Sequence, residues 1–271
     1  MDPDPSSLGE IQTPSEADPA EKAAKAIERH SLELIAATSE SCVAVKPQVA
    51  CFERLGAPGW SALNEVIAAS RDAGLLVVVD GKRGDVPVSA AAYGQAMVGS
   101  TDTPWGEVPG LSADAFTVNP MFGGDSLDVF IEAAANADAG IFALVRTSNP
   151  GAAEIQDSRA DGESLHERLA VLIEERAKTL AGADSGLSGL GAVIGATAPE
   201  HMARLRELMP DSIFLLPGIG AQGGRPEDLT SAVAEGRPAS ILVPASRSIA
   251  SAPDPAAAAA ELRESIWSLT A

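Results

Sequence analysis

The chain has 271 residues, is 45% hydrophobic, and carries 38 acidic against 19 basic side chains, a formal net charge of −19. That length suits one large α/β core, and that charge argues against nucleic acid or an anionic membrane as a partner. No apolar run approaches the ~18 residues of a membrane span, and the acidic start "MDPDPSSLGE" lacks the basic and apolar regions of a secretion signal.

Residues 1–17 are rich in Pro, Ser and Asp and read as loop. The spacing of Ala23, Ile27, Leu32 and Ile35 predicts a helix over 19–39. A short strand follows at 42–46. Cys42 and Cys51 lie on or beside it and are too few for a disulfide framework, so buried thiols in a reducing cytoplasm are expected. Residues 58–73 read as a helix stopped by Gly74. Strands are then expected at 75–80, 115–120, 140–145, 191–196, 212–218 and 240–245. Helices are expected at 88–99, 126–137, 164–182, 199–209, 226–236 and 254–271, with a polar loop at 149–163.

Strict alternation of apolar strands with helices means a parallel sheet. Seven strands are each followed by a helix, and one more before the first helix would complete a (β/α)8 TIM barrel. An open doubly wound sheet is the alternative. Polar residues gather just after most strand ends: Lys46, Asp80 and Lys82, Asn119, Arg146 and Ser148, the 218–224 stretch, then Ser246 and Arg247. A ring of such ends fits a barrel mouth better than a single crevice. The expectation is a single domain over 1–271, a barrel lacking most of its first strand. Met1 stands where that strand should be ending, so the natural start is expected upstream.

"VVVDGKRGDV", residues 77–86, places charges at the mouth of a buried strand. The five lysines are Lys22, Lys25, Lys46, Lys82 and Lys178, and only Lys46 and Lys82 end strand-like runs. Asp80 and Lys82 are two apart and share a strand face. With Asp85 following, nearby carboxylates favour a protonated lysine, which is a proton donor for a carbanion. A surface ion pair is the bland alternative, and the apolar strand leading into the cluster weighs against it. "GIGAQG" (218–223) also fits the dinucleotide fingerprint, but too little chain follows it for a nucleotide domain. Loops after the seventh and eighth strands of a barrel commonly bind phosphate through backbone N–H groups.

"DGKRGDVP" resembles the Asp-x-Lys-x-x-Asp signature of the orotidine 5′-phosphate decarboxylase family, in its bacterial and archaeal second type. "VAVKPQVACFERLG", "LVRTSNPG", "AVIGATAPE" and "LPGIGAQGG" resemble further family stretches, in the right order and spacing. The resemblance implies cofactor-independent loss of CO2 from orotidine 5′-phosphate to give uridine 5′-phosphate in pyrimidine biosynthesis. It implies Lys82 as proton donor to C6, Asp80 beside the departing carboxylate, and Lys46 and Asp85 holding the charge network. For the substrate it implies Asp2 at the ribose, Ser148 at the pyrimidine, Gln222 at both the phosphate and the base, and Pro217, Gly218 and Arg247 at the phosphate end. Ser89 stands where the family has a threonine. In the family that position and Asp85 reach the neighbouring subunit's site, which implies a homodimer whose subunits complete each other's sites; the expected location is the cytoplasm. Two alternatives are a Mg2+-dependent sugar-phosphate decarboxylase or synthase of the same suprafamily, and a non-catalytic nucleotide-binding barrel. His30, His166 and His201 fall on expected helices and are read as surface or packing residues. No zinc or P-loop spacing occurs, and no metal is assigned.

Overall fold

Asp18 caps the first helix in the computed structural model of the chain, which describes residues 1–8, 18–220 and 222–270. The Asp18 carboxylate accepts from Glu21 N–H while Glu21 returns a bond to Asp18 N–H, with Pro19 at the first helical position. This capping box opens α1 (Pro19–Thr38), whose buried Ala24, Ile27, Ser31 and Ile35 recur at helical spacing. β1 (Ala44–Val45), α2 (Val49–Glu53), α3 (Ala57–Asp72) and β2 (Leu76–Arg83) follow. Gly74 (φ +76°) ends α3 by taking the left-handed turn that a side chain would disfavour.

The chain divides into two units, Met1–Gly81 with Ser246–Arg263, and Lys82–Ala245 with Glu264–Ala271. In the first, β1 and β2 pair in parallel, Ala44 opposite Leu76 and Val45 opposite Val77. The pairing extends to a bridge between Gln48 and Asp80. Met1 lies on the other side of β1's extension: its N–H donates to Lys46 O (2.5 Å) and its carbonyl accepts from Gln48 N–H (3.0 Å). That is one step of a parallel ladder.

The second unit holds α4 (Pro87–Met97), a hairpin of β3 (Ser100–Thr103) and β4 (Gly106–Pro109), β5 (Ala115–Val118), α5 (Gly124–Asn136) and β6 (Gly140–Arg146). It continues with α6 (Ala152–Gln156), a hairpin of β7 (Arg159–Ala160) and β8 (Glu163–Ser164), α7 (Leu165–Glu174), β9 (Ser188–Ile194), α8 (Met202–Leu208), β10 (Ser212–Leu215) and β11 (Ile241–Leu242). β5, β6, β9, β10 and β11 pair in that order, every pair parallel. Their side chains are buried on both faces, as a parallel sheet between helices requires. Phe116 of β5 meets Phe130 of α5 edge-on, ring centroids 5.7 Å apart. After β11 come α9 (Arg247–Ala250) and α10 (Pro255–Trp267).

All seven expected strands form, and within each unit paired neighbours run parallel, in the strand–helix alternation of the TIM-barrel class. Several expected elements differ. The helix expected over 164–182 stops at Glu174, and a 3-10 turn covers Ala177–Leu180. Glu174 and Glu175 set negative charge against the negative end of the helix dipole, with no basic residue in the last turn. Residues 226–236 form a 3-10 helix, Pro226–Ala232, instead of an α-helix. The 149–163 loop contains α6 and the β7–β8 hairpin, turned by Asp161 and Gly162, both at positive φ. Cys42 and Cys51 are half-buried rather than buried, and Cys51 sits in α2. Of the 1–17 loop, residues 9–17 lie outside the described residues.

Candidate active site

The first unit contributes a buried ion pair. Val77, Val78 and Val79 carry β2 into the core, and Asp80 at their end is only 4% exposed. Parallel pairing sets Gln48 opposite Asp80, and Lys46, two residues earlier, projects on the same face as Gln48. Lys46 Nζ donates to Asp80 Oδ2 at 2.6 Å, and Gln48 Nε2 donates to the same oxygen at 3.3 Å. The two charged side chains are 16% and 6% exposed. A carboxylate this dry is tolerated only with a close cation and hydrogen bonds. Asp2 is exposed, one residue past the Met1 bridge.

The second unit begins with Lys82. This residue is exposed and takes φ +46°, a left-handed conformation uncommon for a residue with a side chain and enriched at functional sites. Its N–H donates to the hydroxyl of buried Thr117 (2.8 Å), and Asn119 N–H donates to Arg83 O (2.7 Å). The Arg83 guanidinium lies 5.3 Å from the centre of the Tyr93 ring. At Gly84 a Cβ would come within 2.8 Å of Asn119 O, so only glycine fits. The Asp85 carboxylate accepts from Val86 N–H (2.8 Å), and its carbonyl accepts from the Ser126 hydroxyl. These contacts fix the segment from Lys82 to Asp85 against the end of β5 and the start of α5. Ser89, half-buried, lies in the first turn of α4.

A second cluster in this unit joins Ser148 to the 217–224 loop. Gly195 N–H donates to Arg146 O (2.6 Å) and Thr197 Oγ1 to Ser148 O (2.9 Å). A Cβ at Gly195 would come within 2.7 Å of Ser148 Cα. Gly218 takes φ +118°, and its Cβ position is 3.4 Å from Ser148 Cβ. Ala196 N–H donates to Pro217 O (2.8 Å), Gly224 N–H to Gly218 O (3.0 Å) and Gly223 N–H to Gly220 O (2.8 Å). The result is a tight glycine turn seated on Ser148, with Gln222 exposed on it. Arg247 is exposed at the start of α9, in the first unit.

Thus the structure brings Lys46 to Asp80, and Ser148 to Gly218. Gln48, Thr117, Gly195 and Thr197 support these groups and escaped the sequence reading. Only Gln48 left a signal, its even spacing from Lys46 along a strand-like run. Among the described residues no helix is long and apolar enough to cross a membrane.

Residues 17–262 match the model of the orotidine 5′-phosphate decarboxylase / HUMPS family. The chain belongs to that family. A Rhodopirellula baltica protein named orotidine 5′-phosphate decarboxylase is 44% identical over 220 residues, 80% of this chain and 70% of that one. A Deinococcus radiodurans protein of the same name is 40% identical, over 82% and 76% of the two chains. The solved structure of Leishmania donovani OMP decarboxylase superposes with a TM-score of 0.72 at 36% identity, covering 91% of this chain and 88% of that one. The segments of the family resemblance from Lys46 to Arg247 all fall inside the matched region, whereas Asp2 lies before it.

Proposed function

We infer that the chain decarboxylates orotidine 5′-phosphate to uridine 5′-phosphate, in pyrimidine biosynthesis. The observation that carries this reading is the buried Lys46–Asp80 pair at the end of β2, two residues before Lys82, within a chain of the decarboxylase family. The bond from C6 to the carboxylate carbon breaks, CO2 leaves, and the electron pair stays on C6. The Lys82 ammonium delivers a proton to that carbon. Asp80, ionised opposite Lys46, faces the departing carboxylate. Lys46 and Asp85 hold the charges in place before the reaction starts, which is the form of electrostatic help that costs no reorganisation during it.

Ser148 takes the pyrimidine. Pro217, Gly218, Gln222 and Arg247 take the phosphate end, and Asp2 the ribose. The positive-φ glycines of the 217–224 turn, Gly218, Gly220 and Gly223, suit a loop that approaches an anion closely. Phosphate binding, remote from C6, supplies energy for ordering the site. The reading assigns no metal or cofactor to the chemistry, a homodimer whose Asp85 and Ser89 complete the partner's site, and a cytoplasmic location. Lys82→Ala tests it: folded protein is expected with turnover of orotidine 5′-phosphate reduced by at least about 10²–10⁴, the worth of a general acid. Turnover within tenfold of wild type contradicts the role of Lys82.

A further inference from the structure

Three side chains of the second unit carry ligand chemistry that the decarboxylation reading leaves unused. Asp157 follows α6, His166 stands in the first turn of α7, and His201 ends the 3-10 turn Pro199–His201 before α8. Their ligand atoms all lie within 4.8 Å of one another. Asp157 Oδ1 is 3.1 Å from His166 Nδ1 and 3.7 Å from His201 Nε2. The two imidazole rings are 4.5 Å apart between centroids and tilted by 53°. A tetrahedral zinc ion with ligands at about 2.0–2.2 Å holds its donors roughly 3.3 Å apart. The two separations from Asp157 Oδ1 bracket that value, and the third donor pair lies within 4.8 Å, close enough for side-chain rotation to close it.

The surroundings match such a site in kind. Arg146, at the end of β6, grips Asp157 through two bonds, Nε to Oδ1 (2.8 Å) and Nη2 to Oδ2 (3.0 Å). That grip fixes the carboxylate plane, as outer partners of metal ligands do, and leaves each oxygen a further lone pair. His166 Nδ1 also meets Gln156 O at 2.9 Å, a contact that gives way if Nδ1 ligates. The Arg146 charge opposes a cation. Asp157 itself offsets it, and Glu200 adds a carboxylate 3.8 Å from His201 Nε2. Two imidazoles disfavour Mg2+ and Ca2+, which prefer oxygen, and suit a borderline first-row ion.

We propose that Asp157, His166 and His201 form a binding site for a divalent first-row transition metal, zinc foremost, with water at the fourth position. A bound ion ties the 147–157 segment, held internally by Thr147 N–H donating to Gln156 Oε1 (2.7 Å), to α7 and to the turn before α8. None of the three ligands belongs to the residues assigned to orotidine 5′-phosphate, so the two readings stand or fall separately.

The test uses the full chain, stripped of metal by a chelator and then freed of the chelator. Calorimetric titration with Zn2+ is expected to show one saturable equivalent and a rise in Tm on binding. Co2+ is expected to give the visible absorption of a tetrahedral nitrogen–oxygen site, with no thiolate charge-transfer band. His201→Gln and Asp157→Asn sit at partly exposed positions and are expected to keep the fold by circular dichroism. Each is expected to bind zinc about tenfold more weakly or worse. Absence of a saturable equivalent overturns the proposal. So do wild-type zinc affinity in both variants, and a thiolate band assigning the metal to Cys42 or Cys51.

Discussion

Lys46 and Asp80 form a pair of a different kind from the ion pairs on the protein's surface. Exposed pairs such as Arg29 with Glu33 contribute about 0–1 kcal/mol at most, whereas removing one member of a buried pair leaves an uncompensated charge. The Lys46–Asp80 pair was legible in the sequence because an apolar strand running into Asp80 weighs against the bland alternative of a surface ion pair. Gln48 left only a faint signal, its even spacing from Lys46, since glutamine after a strand carries no motif. His166 and His201 were invisible for a deeper reason: 35 residues separate them, and only the packing of α7 against the turn before α8 joins them. A buried charge without a full set of partners occurs at Glu174. Its Oε2 is buried with no hydrogen-bond partner, and burial, then Asp211, pushes its carboxyl above the ordinary value of 4.5. A carboxyl raised in the folded state supports folding below pH 4.5 and loses that support as pH rises through its folded value. Glu174→Gln is therefore expected to stabilise the protein at pH 7, on the order of 1 kcal/mol, with the advantage vanishing below about pH 4.5. Denaturant melts at pH 4 and pH 7 read this directly, and an equal effect at both contradicts it.

At the scale of elements, the joint between the ends of β6 and β9 controls the Ser148 segment. Gly195→Ala sets a Cβ 2.7 Å from Ser148 Cα and 2.8 Å from its N, both backbone atoms that cannot step aside. The substitution is expected to cost about 1–3 kcal/mol, the range for overpacking, and to raise KM for orotidine 5′-phosphate more than it lowers kcat. Unchanged melting contradicts the packing argument, and unchanged KM contradicts the role of Ser148. The parallel strands were readable because each is a short apolar run between turn signals, buried on both sides. The breaks were less so. Helical periodicity continues past Glu174, yet the helix stops where acidic residues meet its negative end. The β7–β8 hairpin had a signal in Asp161-Gly162, hidden inside a stretch polar enough to read as loop. The β3–β4 hairpin is mostly exposed, Trp105 91% so, and exposed strands lack the buried face that makes a pattern.

For the whole molecule, a net charge of −19 sets a small anionic substrate against the protein's own field. In the proposed site Lys82 and Arg247 are few cations with much to offset, and a partner subunit's Asp85 adds negative charge there. The proposed sharing of sites between two subunits has a direct consequence. If the chain forms that homodimer, mixing Lys82→Ala with Asp85→Ala protein under subunit exchange produces heterodimers with one site carrying both lesions and one carrying neither. Part of the wild-type activity is expected to return, and no recovery despite demonstrated exchange counts against shared sites. The reaction itself can be followed directly. The pure chain, treated with EDTA, is given orotidine 5′-phosphate, and pyrimidine absorbance and CO2 release are followed before and after Mg2+ is added. The account predicts uridine 5′-phosphate and CO2 in equal amounts, at a rate that Mg2+ does not raise. An unchanged orotidine 5′-phosphate pool, or turnover that begins only with Mg2+ and a sugar phosphate, would contradict it.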